Sequence, residues 1–276
     1  MGCVLSVDTA SSSPEWIIRG HDPFSSNEPV ARFEVIFRNE GTQDCSFRPQ
    51  FVLDGETFGL SNGNARTLAY SLTETSTNVN LTPISGRSVR RVQRRPIIVE
   101  PRGQKLVSFL LTVPDPRISG DGLYFQNVNL EAEGSDGTLL GGQRLVLGLD
   151  VLPSALMSLS GAFRRNDGQA NIDLGPLKDG RVAIPLNLHV RSTRGYQVTF
   201  DSKNQGRLRL GSTEWTVNYD LLVGGKILQL SSAQTYSAAR PKSAFDSLPM
   251  EFQISGASNK RAGVYSDTLT IAVAAY

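Results

Sequence analysis

"YSDTLTIAVAAY", Tyr265 to Tyr276, is the stretch whose reading decides the fold. Leu269, Ile271 and Val273 alternate with Thr270, Ala272 and Ala274. That is the period-two pattern of a strand with one face in a core. The sequence offers no turn signal and no further strand after it. The expectation is a strand with one edge that its own chain leaves unpaired.

Working back from this strand, helical periodicity is almost absent. "ARFEVIFRN", "CSFRPQFVLDG", "KLVSFLLTV" and "LYFQNVNLEAE" read as strands in the first half. "RVAIPLNLHVRS", "YQVTFDS", "GRLRLGS", "WTVNYDLLV" and "PMEFQISG" do so in the second. Gly, Asn, Asp, Ser and Pro separate them at short spacing, the signature of antiparallel sandwiches. The fold class expected is all-β: two immunoglobulin-like antiparallel sandwiches in tandem, with the C-terminal one short of its last strand.

The halves repeat one plan. "VARFEVIFRNEGTQDCSF" lies over "VAIPLNLHVRSTRGYQVTF", and "RTLAYSL" over "WTVNYDLLV". "FLLTV…GDGLYFQNVNLEA" lies over "MEFQISG…RAGVYSDTLTIAV", so that Gly122 and Tyr124 match Gly263 and Tyr265. The boundary falls near "VLPSALMS" at 151–158, giving domains 1–152 and 153–276. The first copy continues through "GSDGTLLGG" into "QRLVLGLDV", a turn and one more strand from Gln143 to Val151. The second copy has no counterpart to that strand.

An absent strand leaves unpaired backbone groups along an edge and core side chains facing water. The expected lining of that groove is Leu269, Ile271 and Val273, with Tyr219 and Leu221 from neighbouring strands. A strand from another chain would bury four or five apolar side chains there. At about 1.5–3 kcal/mol each, that is on the order of 6–15 kcal/mol. This is comparable with the total stability of a domain, about 5–15 kcal/mol. Strand addition from a partner is the implied mode of assembly. One alternative is that "LMSLSGAF" at 156–163 fills the position.

The bulk numbers exclude other classes. The 276 residues carry a net charge of +2, which gives no reason to expect a nucleic acid partner. No run of about 18 apolar residues occurs, so no helix is expected to span a membrane. The two cysteines, Cys3 and Cys45, each border a strand-like segment. They allow a disulfide worth roughly 4 kcal/mol, with an oxidising compartment, or two free buried thiols. "MGCVLS" also fits an N-myristoylation pattern. Without a signal peptide the sequence reads as a mature chain, and Met1-Gly2 as an addition at an expression start.

"RAGVYSDTLTIAVAAY" resembles the closing strand of spore coat protein U-like domains, the pilin domains of archaic chaperone–usher pili. "VRSTRGYQVTFDSKNQGRLRLGS" and "VNYDLLVGG" resemble the middle of that family. The likeness covers 155–276 well and 3–131 more faintly. It implies that a periplasmic chaperone lends the missing strand during secretion through an outer-membrane usher. The next pilus subunit then supplies the donor strand in the fibre. It also implies that basic residues of the chaperone cleft hold the Tyr276 carboxylate. Ordinary subunits carry a donor extension ahead of the first domain, and almost nothing precedes Cys3 here. The resemblance therefore points to a two-domain tip adhesin: 1–152 the binding domain, 153–276 the pilin domain. Its place would be the cell surface, at the pilus tip.

Alternate connections of a seven-strand sandwich share one end. The connections at 39–44, 73–99 and 132–142 are thus expected at the end of the first domain away from the linker. The second holds Arg87, Arg90, Arg91, Arg94 and Arg95, which suit carboxylate, sulfate or phosphate groups on a surface or glycan ligand. A solvated hairpin or an edge strand with basic guards accounts for the same residues. Leu139 and Leu140 suit an apolar surface, or are ordinary core leucines. Trp16 reads as core.

No catalytic residue, cofactor or metal site is expected. The histidines are His21 and His189, neither with Cys or carboxylates at ligand spacing. No H-E-x-x-H or phosphate-binding loop occurs. A structural pilus or spore-coat subunit without a receptor, and a carbohydrate-active sandwich enzyme, are the competing classes.

Overall fold

The computed structural model describes residues 2–10, 13–63, 67–84, 95–114, 120–182, 184–241 and 245–276. The chain divides into two compact units, Met1–Leu152 and Pro153–Tyr276. Both are built from strands, with no helix among the described residues.

Unit 1 contains β1 (Leu5–Thr9), β2 (Glu15–His21), β3 (Val30–Asn39), β4 (Cys45–Val52) and β5 (Ser71–Glu74). It continues with β6 (Val79–Asn80), β7 (Ile97–Val99), β8 (Gln104–Thr112), β9 (Gly122–Gly134) and β10 (Leu139–Val151). They form two sheets, ordered β1-β3-β8-β5-β6 and β2-β10-β9-β4-β7. Every pair is antiparallel except β2 with β10, which run parallel. Between the sheets, Trp16 stacks on Phe33 with centroids 5.2 Å apart and meets Phe51 and Phe109 at 5.8 and 5.7 Å.

Two details depart from the sequence reading. The strand expected from Gln143 already begins at Leu139, because the turn after β9 is confined to 135–138. "EWIIRGH" is a strand, recruited by parallel pairing of Glu15 with Val146 and Trp16 with Leu147. No local pattern announces a partner so distant in sequence.

Unit 2 contains β11 (Ala155–Gly161), β12 (Arg164–Asn166), β13 (Gln169–Asn171), β14 (Gly180–Val182), β15 (Leu186–Ser192) and β16 (Tyr196–Ser202). It continues with β17 (Arg207–Leu210), β18 (Thr216–Val223), β19 (Lys226–Leu228), β20 (Gln234–Ala238), β21 (Asp246–Ser255), β22 (Tyr265–Ser266) and β23 (Leu269–Ala275). One sheet runs β11-β15-β21-β18-β17-β22, with β14 also on β21 and β19 also on β18. The other is β20-β16-β23, and β12 and β13 pair as a separate hairpin. The architecture is two immunoglobulin-like sandwiches, and among the described residues of unit 2 no strand takes the place that β10 holds in unit 1.

The internal repeat has a conformational cause at its best-matched point. Gly122 and Gly263 both have positive φ, 101° and 151°, where glycine meets no Cβ penalty. Two residues on, Tyr124 donates to the Gly120 carbonyl at 3.0 Å and Tyr265 to the Arg261 carbonyl at 2.9 Å. This is the tyrosine corner at the start of an immunoglobulin-type strand F.

Candidate functional site

In unit 1, β9 lies between β10 and β4, and its inward residues Tyr124, Val128, Leu130 and Ala132 are buried. Leu145, Leu147, Leu149 and Val151 of β10 help close the core over them. In unit 2, the matching β23 pairs with β16 along its whole length, from Ser202 opposite Leu269 to Tyr196 opposite Ala275. No strand among the described residues pairs with its other edge. The same alternation that is buried in β9 is only half-buried in β23, at Leu269, Ile271 and Val273.

The last strand of the opposite sheet, β11, runs close to this edge. Its pairing is already committed: Ala155 lies opposite Ser192 and Gly161 opposite Leu186, both on β15. β11 makes no ladder with β23, so the segment "LMSLSGAF" does not fill the place beside that strand. Met157 and Leu159 of β11 are half-buried and Leu156 is exposed. Phe163, Ile172, Leu174 and Leu177, between β11 and β14, also pack half-buried on this core.

Tyr219 and Leu221, expected in the lining, are closed within the core instead. They belong to β18, which is flanked by β21 and β17 in the opposite sheet. Asp267, at the start of β23, anchors the region. Its carboxylate accepts from the Ser202 hydroxyl at 2.5 Å, the Tyr219 hydroxyl at 2.7 Å and the backbone N–H groups of Asn204 and Thr268. Burial, and then the Asp267 carboxylate, push the Tyr219 phenol well above its ordinary range. Tyr276 is exposed, and its N–H donates to the Gly195 carbonyl at 2.9 Å.

At the end of unit 1 opposite Val151, the turns 40–44 and 100–103 meet, and the turn 135–138 follows Gly134, which lies opposite Phe47 of β4. Asn39, fully buried, joins the first two: its amide nitrogen donates to the carbonyls of Gln43, Val99 and Glu100, and its oxygen accepts from Gly41 N–H. Sequence reasoning missed this residue; an asparagine closing an apolar strand before "EGTQD" is its faint signal. The Cys3–Cys45 disulfide, with Cα atoms 5.0 Å apart, fastens the N-terminal segment here. Thr138 donates to Asp136 and holds that carboxyl below its usual range. Leu139 is 62% exposed, whereas Leu140 packs half-buried on the core. Arg87, Arg90, Arg91 and Arg94 lie outside the described residues, and Arg95 is exposed.

Nucleophile–base chemistry has one formal candidate. Ser160 Oγ lies 2.6 Å from His189 Nε2. Among the described residues Nδ1 of that ring is buried with no hydrogen-bond partner, and Phe245 stands edge-on to the ring. A nucleophilic dyad needs a third group to orient its base, and among the described residues none is present at Nδ1. Among the described residues no three His, Cys, Asp or Glu side chains converge as a metal-binding group.

In fold, the chain is similar to several solved structures at 11–13% identity. Over 97% of its length and 99% of the other chain, it matches a chain of the CsuC–CsuE chaperone–tip adhesion subunit pre-assembly complex from archaic chaperone–usher Csu pili of Acinetobacter baumannii, with a TM-score of 0.51 at 13% identity. The CupB6 tip adhesin from Pseudomonas aeruginosa matches at TM-score 0.45 and 11% identity, over 98% of this chain and 93% of that one. CfaE, the adhesive subunit of CFA/I fimbria of enterotoxigenic Escherichia coli, matches at TM-score 0.37 and 12% identity, over 94% and 90%. No family model and no curated protein matches the sequence.

Proposed function

We propose that the protein is the tip adhesin of a chaperone–usher pilus, exported through the periplasm to the cell surface. Unit 1 is the binding domain and unit 2 the pilin domain. The observation that carries the reading is the open edge of β23, beside half-buried Leu269, Ile271 and Val273, where unit 1 holds β10. The fold likeness to a chain of a chaperone–tip adhesion subunit complex supports the same assignment.

A periplasmic chaperone fills this slot first, and the next pilus subunit replaces it at an outer-membrane usher. The resemblance of 155–276 to spore coat protein U-like domains favours the archaic type of this pathway. Main-chain pairing along β23 supplies affinity and alternate apolar side chains supply fit. No catalytic step is assigned. The end of unit 1 opposite Val151 faces the unknown surface or glycan ligand, and the exposed Val4, Ile98 and Leu139 there suit apolar contact. Arg95 and the neighbouring arginines add charge-assisted contacts.

The test appends a flexible turn and the sequence of Gln143–Val151 after Tyr276. Filling the slot with four aliphatic side chains is expected to stabilise unit 2 by about 6–12 kcal/mol, read as a large rise in its melting temperature. An unchanged melting temperature would refute strand acceptance. Adhesion lost on exchanging the five arginines for serine, or Leu139 for aspartate, separates an adhesin from a coat subunit without a receptor.

A further inference from the structure

The outer face of the β2-β10-β9-β4-β7 sheet carries a recess of about 170 Å3 lined by Asp54, Glu56, Asn127, Val128, Asn129 and Arg144. Asn127 and Asn129 are successive outward residues of β9, and Arg144 of β10 lies directly opposite Asn129. Asp54 and Glu56 come from the segment after β4. Among the described residues no hydrogen bond or ion pair engages the side chains of Asn127, Asn129 or Arg144. Two residues before Asn127 on the same face, roughly 7 Å along the strand, stands Phe125, 44% exposed. Across the strand it lies opposite Gly148 of β10 on one side and is bridged to Ser61 on the other.

The chemistry of the wall limits the occupant. Two carboxylates disfavour an anion, and the Arg144 guanidinium disfavours a bare cation. Carboxylates that only accept, a guanidinium that only donates and two amides that do both fit neighbouring hydroxyl groups, each at once donor and acceptor. A ring face beside such a polar set fits the C–H side of a sugar. The recess is smaller than the roughly 300–1,000 Å3 typical of drug-sized ligands, so it suits a single ring. We infer that this recess binds one neutral pyranose unit of a surface polysaccharide, with Asn127, Asn129, Arg144, Asp54 and Glu56 on its hydroxyls and Phe125 against its apolar face. The recess lies wholly within unit 1, so the inference does not depend on the strand slot of unit 2.

The full chain is titrated with mannose, galactose, glucose, N-acetylglucosamine and glucuronate by saturation-transfer NMR. A neutral sugar is expected to bind. Asn129→Ala combined with Arg144→Ala, and Phe125→Ala separately, are expected to weaken it about tenfold or more with unchanged melting of unit 1. Immobilised mucin and immobilised bacterial exopolysaccharide distinguish a host from a matrix source, and retention on either supports the site. No binding of any neutral sugar, binding of glucuronate alone, or binding unaffected by these substitutions would overturn it.

Discussion

The hydroxyl of Tyr219 donates to Asp267 at 2.7 Å, and the hydroxyl of Tyr70 donates to Gln126 at 2.9 Å. These are the same brace in the two copies of the sandwich. Each joins the tyrosine of the matched "AYSL" and "NYDL" segments to the residue two places after the corner tyrosine. In unit 1 the acceptor is a neutral amide that also accepts from Gly59 N–H. In unit 2 it is a carboxylate gathering four donors where the open strand begins.

The acceptor's charge sets the cost of breaking the brace. Tyr219→Phe is expected to lose about 1.5–3 kcal/mol from unit 2, and Tyr70→Phe about 0.5–1.5 kcal/mol from unit 1. Each unit holds one tryptophan, Trp16 or Trp215. Urea unfolding in a Trp215→Phe background follows unit 1, and in a Trp16→Phe background unit 2. A larger loss for Tyr70→Phe would show that the Asp267 carboxylate adds nothing.

Matched truncations on β9 and β23 report the slot. Leu130 is fully buried, and Leu130→Ala should cost unit 1 about 2–5 kcal/mol. Half-buried Ile271 should cost clearly less in the chain alone, and approach the Leu130 value once a strand is appended after Tyr276. Equal costs without that strand, measured by denaturant titration, would mean that Ile271 is already enclosed.

Reduction should act on one unit. The Cys3–Cys45 bond spans a sequence separation of 42, so its loss should destabilise unit 1 by roughly 4 kcal/mol and leave the unit 2 transition in place. Denaturant curves with and without a reductant measure this, and mass spectrometry of the unreduced chain should join the two cysteines.

The pH limits have opposite causes. Tyr70, Tyr196 and Tyr219 have their phenols pushed up, burial being the main cause in each. The folded chain retains protons that the unfolded chain releases from about pH 10, the ordinary tyrosine value, so stability should fall as pH rises beyond that point. His21 is held below 6.5 by burial, partly opposed by Asp22. Its neutral form belongs to the fold, so stability is present above 6.5 and should decline as pH falls below it. Melting across pH, with His21→Gln flattening the acid limb, checks both signs.

Much of the architecture was legible because a strand with one buried face alternates residue by residue. β3, β4, β8, β9, β15, β16, β18, β21 and β23 all carry that alternation. The repeat was legible because Gly122 and Gly263 occupy backbone conformations that few other residues adopt. The parallel docking of β2 on β10 was not, because both partners look like ordinary strands and the choice is made by packing around Trp16. Nor was the place of Tyr219 and Leu221, whose alternation says that one side faces inward but not which sheet they join.

By itself the sequence determined the all-β class and the duplication, since these follow from periodicity and glycine stereochemistry. Only the tertiary structure decided that β11 spends its hydrogen bonds on β15 and leaves the edge of β23 open. It also decided that Asp54 and Glu56, from the segment after β4, come to the outward face of β9 that carries Asn127 and Asn129. Both depend on pairing between segments distant in the chain, and backbone hydrogen bonds carry no residue label that a sequence can display.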